Sequence, residues 1–296
     1  MKQLRNTLAL FYIRVTFGLL GFVSPSLAAK RAWNFMCSPR RFPARPIEDE
    51  VLERATQSRL TYREGEVQLY SWGSGTKKIL LVHGWEGRAG NFAALVDPLL
   101  VQDCTLLAFD APSHGASDQQ PTSMFDFADC LAHILSSHDV DVILSHSFGS
   151  VATALALSKL AETRVKELVM ITTPNRFSDR INQVAEFLGL SLLTKEALIK
   201  EIEENTDIEV ASLALSERCQ ELPLEQVLIV HDKADKVTPI AWAREIAAAW
   251  DIVTLIEIEN TGHYRILIAS QTEEAVVNFL FGSMPETLSS REIARA

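Results

Sequence analysis

Six continuous apolar runs, each bounded by polar or small residues, recur between residues 77 and 259 and constrain the fold more than any other feature. Each run is rich in Leu, Ile or Val, which is typical of strands buried on both faces of a parallel sheet. Longer amphipathic stretches separate the runs, and this alternation predicts repeated βα units around a mostly parallel central sheet flanked by helices. The runs are KKILLVHG, CTLLAFDA, DVILSHS, ELVMITTP, QVLIVHD and IVTLIEIE.

Two other segments extend this α/β plan. Residues 60–72 alternate between apolar and polar around a Glu-Gly pair, which predicts an antiparallel hairpin at the edge of the sheet. About fifty residues of helical composition separate the runs ending at 174 and beginning at 226, which is too long for a simple crossover. We predict a small helical cap at 175–222, between the sixth and seventh strands. Two surface helices that never cover a site are the alternative.

Residues 1–46 form a distinct segment, since Pro43 and Pro46 mark a joint to the main domain at 47–174 and 223–296. Every charged residue in this segment is basic. Its apolar run, Leu8 to Val23, spans 16 residues and contains Arg14, so it is short for a membrane-spanning helix.

Three interpretations of the N-terminal segment stay open. It could be a helix packed on the main domain, or a basic amphipathic helix lying on an anionic membrane surface. Both place the protein in the cytoplasm, without or with peripheral membrane contact. The third interpretation is a signal peptide cleaved near Ala28, which would export the protein.

Charge and cysteine usage restrict the partners. The net charge of -10 supplies no basic field for nucleic-acid phosphates, so we expect a small-molecule substrate and no DNA or RNA partner. The four cysteines are scattered without a CxxC pair, which gives no indication of a zinc site. We expect neither a metal nor a cofactor.

The segment Ser145-His146-Ser147-Phe148-Gly149 follows one predicted strand and precedes a predicted helix. A nucleophilic serine in such a turn exposes its hydroxyl above the sheet, and its neighbours must be small because strand and helix pass closely. Gly149 fits this requirement, whereas Ser145 replaces the usual glycine. Taken alone, Ser147 would more readily be interpreted as a helix N-cap.

These residues resemble the nucleophile elbow of the α/β-hydrolase superfamily, and the similarity extends from about residue 60 to about 281. The resemblance implies that the backbone amides of Trp85, after His83-Gly84, and of Phe148 form an oxyanion hole. It also implies an architectural turn at residues 110–117, in which His114 is not catalytic.

A serine hydroxyl needs a base, and the base needs an orienting acid. Among seven histidines, His263 follows the last strong strand, and the chain order Ser, Asp, His agrees with this fold. Two carboxylates compete for the acid role. The resemblance favours Asp235 over Asp232, because Val237 and Pro239 match the D-x-V-x-P tail of the family.

The predicted function is a serine hydrolase that cleaves a carboxylic ester or thioester through an acyl-enzyme, with Ser147, Asp235 and His263 as triad. An acyltransferase on the same triad is an alternative, and a non-catalytic binding protein of this fold is another.

Overall fold

The computed structural model describes residues 2–282, so the last part of the predicted main domain, 283–296, lies outside the described residues. Eight strands form one sheet in the order β1-β2-β4-β3-β5-β6-β7-β8. The strands are β1 (Thr56–Tyr62), β2 (Gly65–Gly73), β3 (Lys77–Val82), β4 (Cys104–Asp110), β5 (Val142–His146), β6 (Glu167–Ile171), β7 (Gln226–Asp232) and β8 (Val253–Ile258).

Strands β3 to β8 pair in parallel, while β1 and β2 are antiparallel, so the predicted mostly parallel sheet with an edge hairpin is confirmed. The hairpin begins at Thr56, four residues before the expected start. Residues 56–59 are exposed on this edge strand, so no apolar alternation marks them in the sequence. The turn falls on Arg63 and Glu64, and Gly65 opens β2.

Helices cover both faces of the sheet. They are α4 (Ala93–Leu100), α5 (Met124–Ser137), α6 (Phe148–Leu157), α10 (Ile240–Ala249) and α12 (Ser270–Phe281), with the short α11 (Gly262–Arg265) after β8. One apolar core lies between the sheet and α5, α6 and α10, and the other lies between the sheet and α4 and α12.

A helical insert separates β6 from β7, as predicted. It consists of α7 (Phe177–Leu188), α8 (Leu192–Thr206) and α9 (Leu215–Arg218). Helix α7 ends at Gly189, whose φ of 69° closes the helix in the left-handed region. Ser191 then caps α8, since its hydroxyl accepts from the amide of Thr194 at 3.2 Å.

Three helices precede the sheet: α1 (Lys2–Val23), α2 (Pro25–Met36) and α3 (Pro46–Glu53). Helix α2 packs on α8 of the insert, with its small side chains Ala28, Ala29 and Ala32 fully buried. Arg14 of α1 donates to the carbonyls of Glu186 and Phe187, both at 3.2 Å, and so satisfies the C-terminal end of α7. No helix within residues 2–282 is long and apolar enough to span a membrane.

Candidate active site

Ser147 occupies the sharp turn between β5 and α6. Its φ of 52° lies in the left-handed region that non-glycine residues rarely adopt. The amide of Ser147 donates to the carbonyl of Ile171 at 2.9 Å, which ties the turn to the end of β6. The strained turn therefore holds the hydroxyl above the carboxyl ends of the parallel strands, where ligand sites of such sheets lie.

The two neighbours of Ser147 at spacing two meet the packing demand differently. A Cβ on Gly149 would lie 2.5 Å from the carbonyl oxygen of Val82, so only glycine fits there. Ser145 is fully buried, and its hydroxyl donates to the carbonyl of Val169 at 2.9 Å. The hydroxyl oxygens of Ser145 and Ser150 lie 3.0 Å apart. The serine that replaces the usual glycine thus has room and a hydrogen-bond partner.

A continuous hydrogen-bonded chain joins the three residues predicted as triad. His263 Nε2 lies 3.0 Å from Ser147 Oγ, and His263 Nδ1 lies 2.8 Å from Asp235 Oδ2. Along the chain, Ser147 follows β5, Asp235 follows β7 and His263 follows β8. The side chains of Asp235 and His263 are buried. The structure therefore places Ser147, His263 and Asp235 in the geometry of a nucleophile, a base and an orienting acid.

The Asp235 carboxylate is held in its charged form. Burial by itself would raise the pKa of Asp235, but the hydrogen bond and charge of His263, with the amides of Thr238 and Val237, outweigh it and lower the pKa. The Thr238 hydroxyl also donates to Asp235 Oδ2 at 2.9 Å. Thr238 lies inside the D-x-V-x-P tail, but the sequence analysis did not single it out.

Asp232, the competing carboxylate, does not contact His263. Its oxygens accept from the amides of Ala234, Thr261 and Gly262 at 2.7, 2.6 and 2.9 Å, and from the Thr261 hydroxyl. Although burial opposes ionisation, these hydrogen bonds lower the pKa of Asp232 to about 2. Asp232 therefore joins the loop after β7 to the loop that carries His263.

Trp85 and Phe148, the predicted oxyanion-hole residues, lie side by side at the site. Trp85 belongs to a tight turn closed by a 2.9 Å hydrogen bond from the Gly87 amide to the Gly84 carbonyl. Phe148 is the first residue of α6, where an amide has no acceptor within the helix. Their rings pack edge to face, with the ring centroids 6.2 Å apart.

Buried His83 supports that turn. Its Nε2 accepts from the amide of Ala111 at 3.0 Å, so Nδ1 carries the proton and donates to the Gly84 carbonyl at 2.7 Å. Burial lowers the pKa of His83 to about 4, which keeps the ring neutral at pH 7. His114 lies in the turn at 110–117 and is buried. Its ring packs against that of Trp85, with the ring centroids 4.9 Å apart.

Two more histidines assist the site in ways that the sequence analysis missed. His146 Nε2 donates to the carbonyl of His263 at 2.9 Å, and burial lowers the pKa of His146 to about 3. His231 Nε2 lies 2.7 Å from the Thr238 carbonyl and so stabilises the loop after β7 that carries Asp235. The chain positions of these histidines gave no signal, because both contacts depend on loops that the sheet brings together.

A cavity of about 540 Å³ opens beside Ser147. Helix α7 lines one wall through Phe177, Arg180 and Gln183, so the insert forms part of the cavity wall. Residues 40–45 of the N-terminal segment form another wall through Arg40 and Phe42. Within residues 2–282 no cluster of three His, Cys, Asp or Glu side chains is arranged to hold a metal ion.

Positive charge dominates the lining. Six arginines and two glutamates face the cavity; they are Arg40, Arg45, Arg88, Arg176, Arg180, Arg265, Glu48 and Glu86. Arg40 pairs with both carboxylate oxygens of Glu86 at 2.8 and 2.9 Å, Arg45 pairs with Glu48 at 2.7 Å, and Arg176 pairs with Glu245 at 2.5 Å. Among the described residues, Arg88, Arg180 and Arg265 form no ion pair. The cavity therefore carries local positive charge in a chain whose net charge is -10.

A mostly parallel sheet that carries a hydrogen-bonded Ser-His-Asp set at its carboxyl edge defines a protein of the α/β-hydrolase class. The model of the Alpha/beta hydrolase family matches residues 79–279, more than half of the chain. The chain belongs to the α/β-hydrolase family.

Curated relatives match parts of the chain. A Drosophila melanogaster protein named "Probable serine hydrolase" is 32% identical over 136 residues, which cover 43% of this chain and 40% of that protein. A Danio rerio "Serine hydrolase-like protein" is 26% identical, over 59% of this chain and 58% of its own length. The chain thus matches less than two thirds of either relative.

A solved structure shares the fold over nearly the whole chain. It is a membrane phospholipase A described as a bacterial virulence factor, with a TM-score of 0.59 and 16% identity, and the match covers 95% of this chain and 99% of that one.

Proposed function

We propose that this protein is a serine hydrolase that cleaves a carboxylic ester or thioester through an acyl-enzyme intermediate. One observation carries the proposal: His263 bridges Ser147 Oγ at 3.0 Å and Asp235 Oδ2 at 2.8 Å. An imidazole in this position can accept the serine proton as the hydroxyl attacks a carbonyl, while the carboxylate fixes the tautomer and stabilises the imidazolium.

The proposed reaction has two halves. Ser147 Oγ bonds to the carbonyl carbon as its proton passes to His263 Nε2, and the oxygen that gains negative charge accepts from the amides of Trp85 and Phe148. The intermediate collapses when the bond to the leaving group breaks and His263 returns the proton to the departing alcohol or thiol. Water, deprotonated by His263, then attacks the acyl carbon. The bond to Ser147 Oγ breaks as His263 returns the proton to that oxygen, and the acid is released.

The cavity supports a substrate of moderate size. Its volume of about 540 Å³ lies within the range of sites that enclose small-molecule ligands. Its arginines favour esters that carry a negatively charged group, because unpaired guanidinium groups bind carboxylate and phosphate oxygens. A panel of p-nitrophenyl esters of graded acyl length, each compared with a carboxylate-ended ester of equal length, measures both preferences as kcat/KM.

The decisive experiment replaces the proposed nucleophile. Ser147→Ala should lower kcat for p-nitrophenyl esters by at least about 10³-fold, because the hydroxyl forms the covalent intermediate. A fluorophosphonate probe should label the wild type and leave this variant unlabelled, and circular dichroism should show that the variant folds. Wild-type turnover in the folded variant would overturn the proposal. Ser150→Ala, which alters a buried serine on the same turn, is the matched control and should keep both labelling and activity.

A further inference from the structure

Helix α1 has two apolar faces, and only one is covered. Ile13 and Phe17 pack toward the insert, where Arg14 also contacts the end of α7. The other face points outward with exposed fractions from 41% to 90%. Its members recur at the three- and four-residue spacing of one helical stripe; they are Leu8, Phe11, Tyr12, Val15, Leu19, Phe22 and Val23.

Neighbouring elements extend this stripe into one surface. Phe35 of α2 stacks on Phe187 of α7 with ring centroids 6.0 Å apart, and both rings are exposed. A Cβ on Gly21 would lie 2.6 Å from Thr194 Oγ1, so the end of α1 adjoins the start of α8. There Leu192 and Leu193 are about two-thirds exposed, at 65% and 66%. We call the α1 stripe together with Phe35, Phe187, Leu192 and Leu193 the docking face. An exposed apolar area of this extent is typical of an interaction site.

The α1–α2 part of the docking face carries only basic charges, whereas exposed Glu186 and Glu196 lie beside Phe187 and Leu192 on the insert. Lys30 and Arg31 of α2 are exposed, and the ion pairs found within residues 2–282 include neither. The sequence contains no acidic residue before Glu48, although the whole chain has a net charge of -10. A second copy of this chain would bring the same positive charges together across a symmetric interface, which is repulsive. An anionic lipid surface would instead complement them.

The docking face also adjoins the proposed active site. Arg180 and Gln183 of α7 line the cavity, and Phe187 follows Gln183 by four residues on the same side of the helix, a rise of about 6 Å. The chain leaving α2 reaches the cavity as well, because Arg40 and Phe42 form part of its wall. Helix α7 therefore belongs to both the docking face and the cavity, and the segment after α2 connects the two.

We propose that the docking face binds the surface of an anionic lipid bilayer. The apolar stripe of α1 enters the boundary between headgroups and acyl chains, while Lys30 and Arg31 contact anionic headgroups. This docking brings the cavity to the membrane surface, where its substrates would be esters of amphiphilic lipids. That last step rests on the proposed hydrolase function, whereas the docking does not.

Vesicle sedimentation with the full chain tests the docking apart from catalysis. The Ser147→Ala variant avoids lipid hydrolysis and should bind vesicles that contain phosphatidylglycerol at least tenfold more tightly than pure phosphatidylcholine vesicles. Adding Phe22→Glu to the outward stripe should weaken binding at least tenfold, because a charge replaces an inserted ring. Val101→Glu alters an exposed apolar residue at the end of α4 and should leave binding unchanged.

The charged part of the docking face has its own variant. Neutralising both basic residues with Lys30→Gln and Arg31→Gln should weaken binding to the anionic vesicles about tenfold or more and leave binding to neutral vesicles unchanged. Failure of the Ser147→Ala chain to sediment with either vesicle overturns the docking. So does a stable dimer in analytical ultracentrifugation that Phe22→Glu dissociates, since a second copy would then cover the face.

Activity separates the two proposals. Placed in the otherwise wild-type chain, Phe22→Glu should keep full turnover of a short soluble p-nitrophenyl ester and lose turnover of a phospholipid ester presented in anionic vesicles. Equal loss on both esters would show that the residue supports the fold and would overturn a specific role at the membrane. Absence of all esterase activity in wild-type protein that still binds vesicles would overturn the hydrolase proposal alone.

Discussion

Asp235 and Asp232 lie three residues apart, and their hydrogen-bond partners give them different tasks. Asp235 Oδ2 contacts His263 Nδ1 at 2.8 Å, whereas Asp232 contacts backbone amides and the hydroxyl of Thr261. The sequence could only rank the two carboxylates, because Asp232 ends β7 and Asp235 follows three residues later, so both lie at the same edge of the sheet. Which carboxylate contacts His263 depends on the position of the loop after β8 that carries this histidine. That position is determined by the three-dimensional structure.

Asp235→Asn should preserve the fold and lower kcat for p-nitrophenyl esters by about 10⁴-fold. An amide at this position would present an N–H toward His263 Nδ1 and favour the tautomer that cannot accept the serine proton. Steady-state kinetics and thermal unfolding of the purified variant check this expectation. A kcat within tenfold of the wild type would show that another group orients His263.

Asp232→Asn should mainly lower stability, and the loss should depend on pH. Since the folded-state pKa of Asp232 is about 2, below its usual 3.8, the stabilisation is complete above about pH 4 and is lost as the pH falls toward 2. At pH 7 the asparagine leaves amide donors without an acceptor, at a cost of about 2 to 3 kcal/mol.

Thermal unfolding of the wild type and the Asp232→Asn variant between pH 2 and pH 7 measures this dependence. The difference in Tm should be constant near neutrality and shrink below pH 4. Lys233→Gln, which alters an exposed neighbour that pairs with Glu259, serves as the control. A difference that grows on acidification would contradict the assignment.

At the level of elements, the close approach of α6 to β3 determines which side chains fit in the turn around Ser147. Gly149 lies against the carbonyls of Val82 and His83, 2.5 and 2.7 Å from where a Cβ would stand. The motif pattern predicted this glycine correctly. It could not show that Ser145, on the other side of Ser147, is accommodated through a hydrogen bond to β6.

Gly149→Ala should destabilise the fold by about 1 to 3 kcal/mol or more, because the added methyl meets backbone atoms that belong to β3 and cannot move separately. Gly18→Ala is a matched control, since its Cβ would meet no atom within 4 Å and alanine favours a helix. Urea unfolding of both variants should show a lower midpoint for Gly149→Ala and an equal or higher one for Gly18→Ala. Equal midpoints for Gly149→Ala and the wild type would refute the close approach.

The strand plan and the helical insert were predictable because continuous apolar runs and loop lengths carry the signal. The association of the first helices with the insert was not. Helix α2 packs through alanines, whose small apolar side chains occur equally on exposed helices. The contact of Arg14 with the end of α7 joins residues more than 170 positions apart, and no local pattern indicates it.

Across the whole molecule, the N-terminal helices contact the insert, and the insert in turn forms part of the cavity wall. Helix α2 packs on α8, α8 precedes α9 in the insert, and α7 of the same insert lines the cavity. A disturbance at the α2–α8 contact should therefore loosen the cavity wall while the sheet keeps its structure, because the core between the sheet and α4 and α12 contains no residue of α2 or α8.

Ala32→Glu tests this coupling by burying an unpaired carboxylate between α2 and α8, at a cost of several kcal/mol. Hydrogen–deuterium exchange should rise in α1, α2 and α8 and stay low in β5 to β7, and KM for p-nitrophenyl esters should rise more than kcat falls. Asn34→Glu places the same charge on the exposed side of α2 and should change neither. If exchange in α8 stays at the wild-type level in folded Ala32→Glu protein, the N-terminal helices do not stabilise the insert, and the cavity wall depends on the main domain alone.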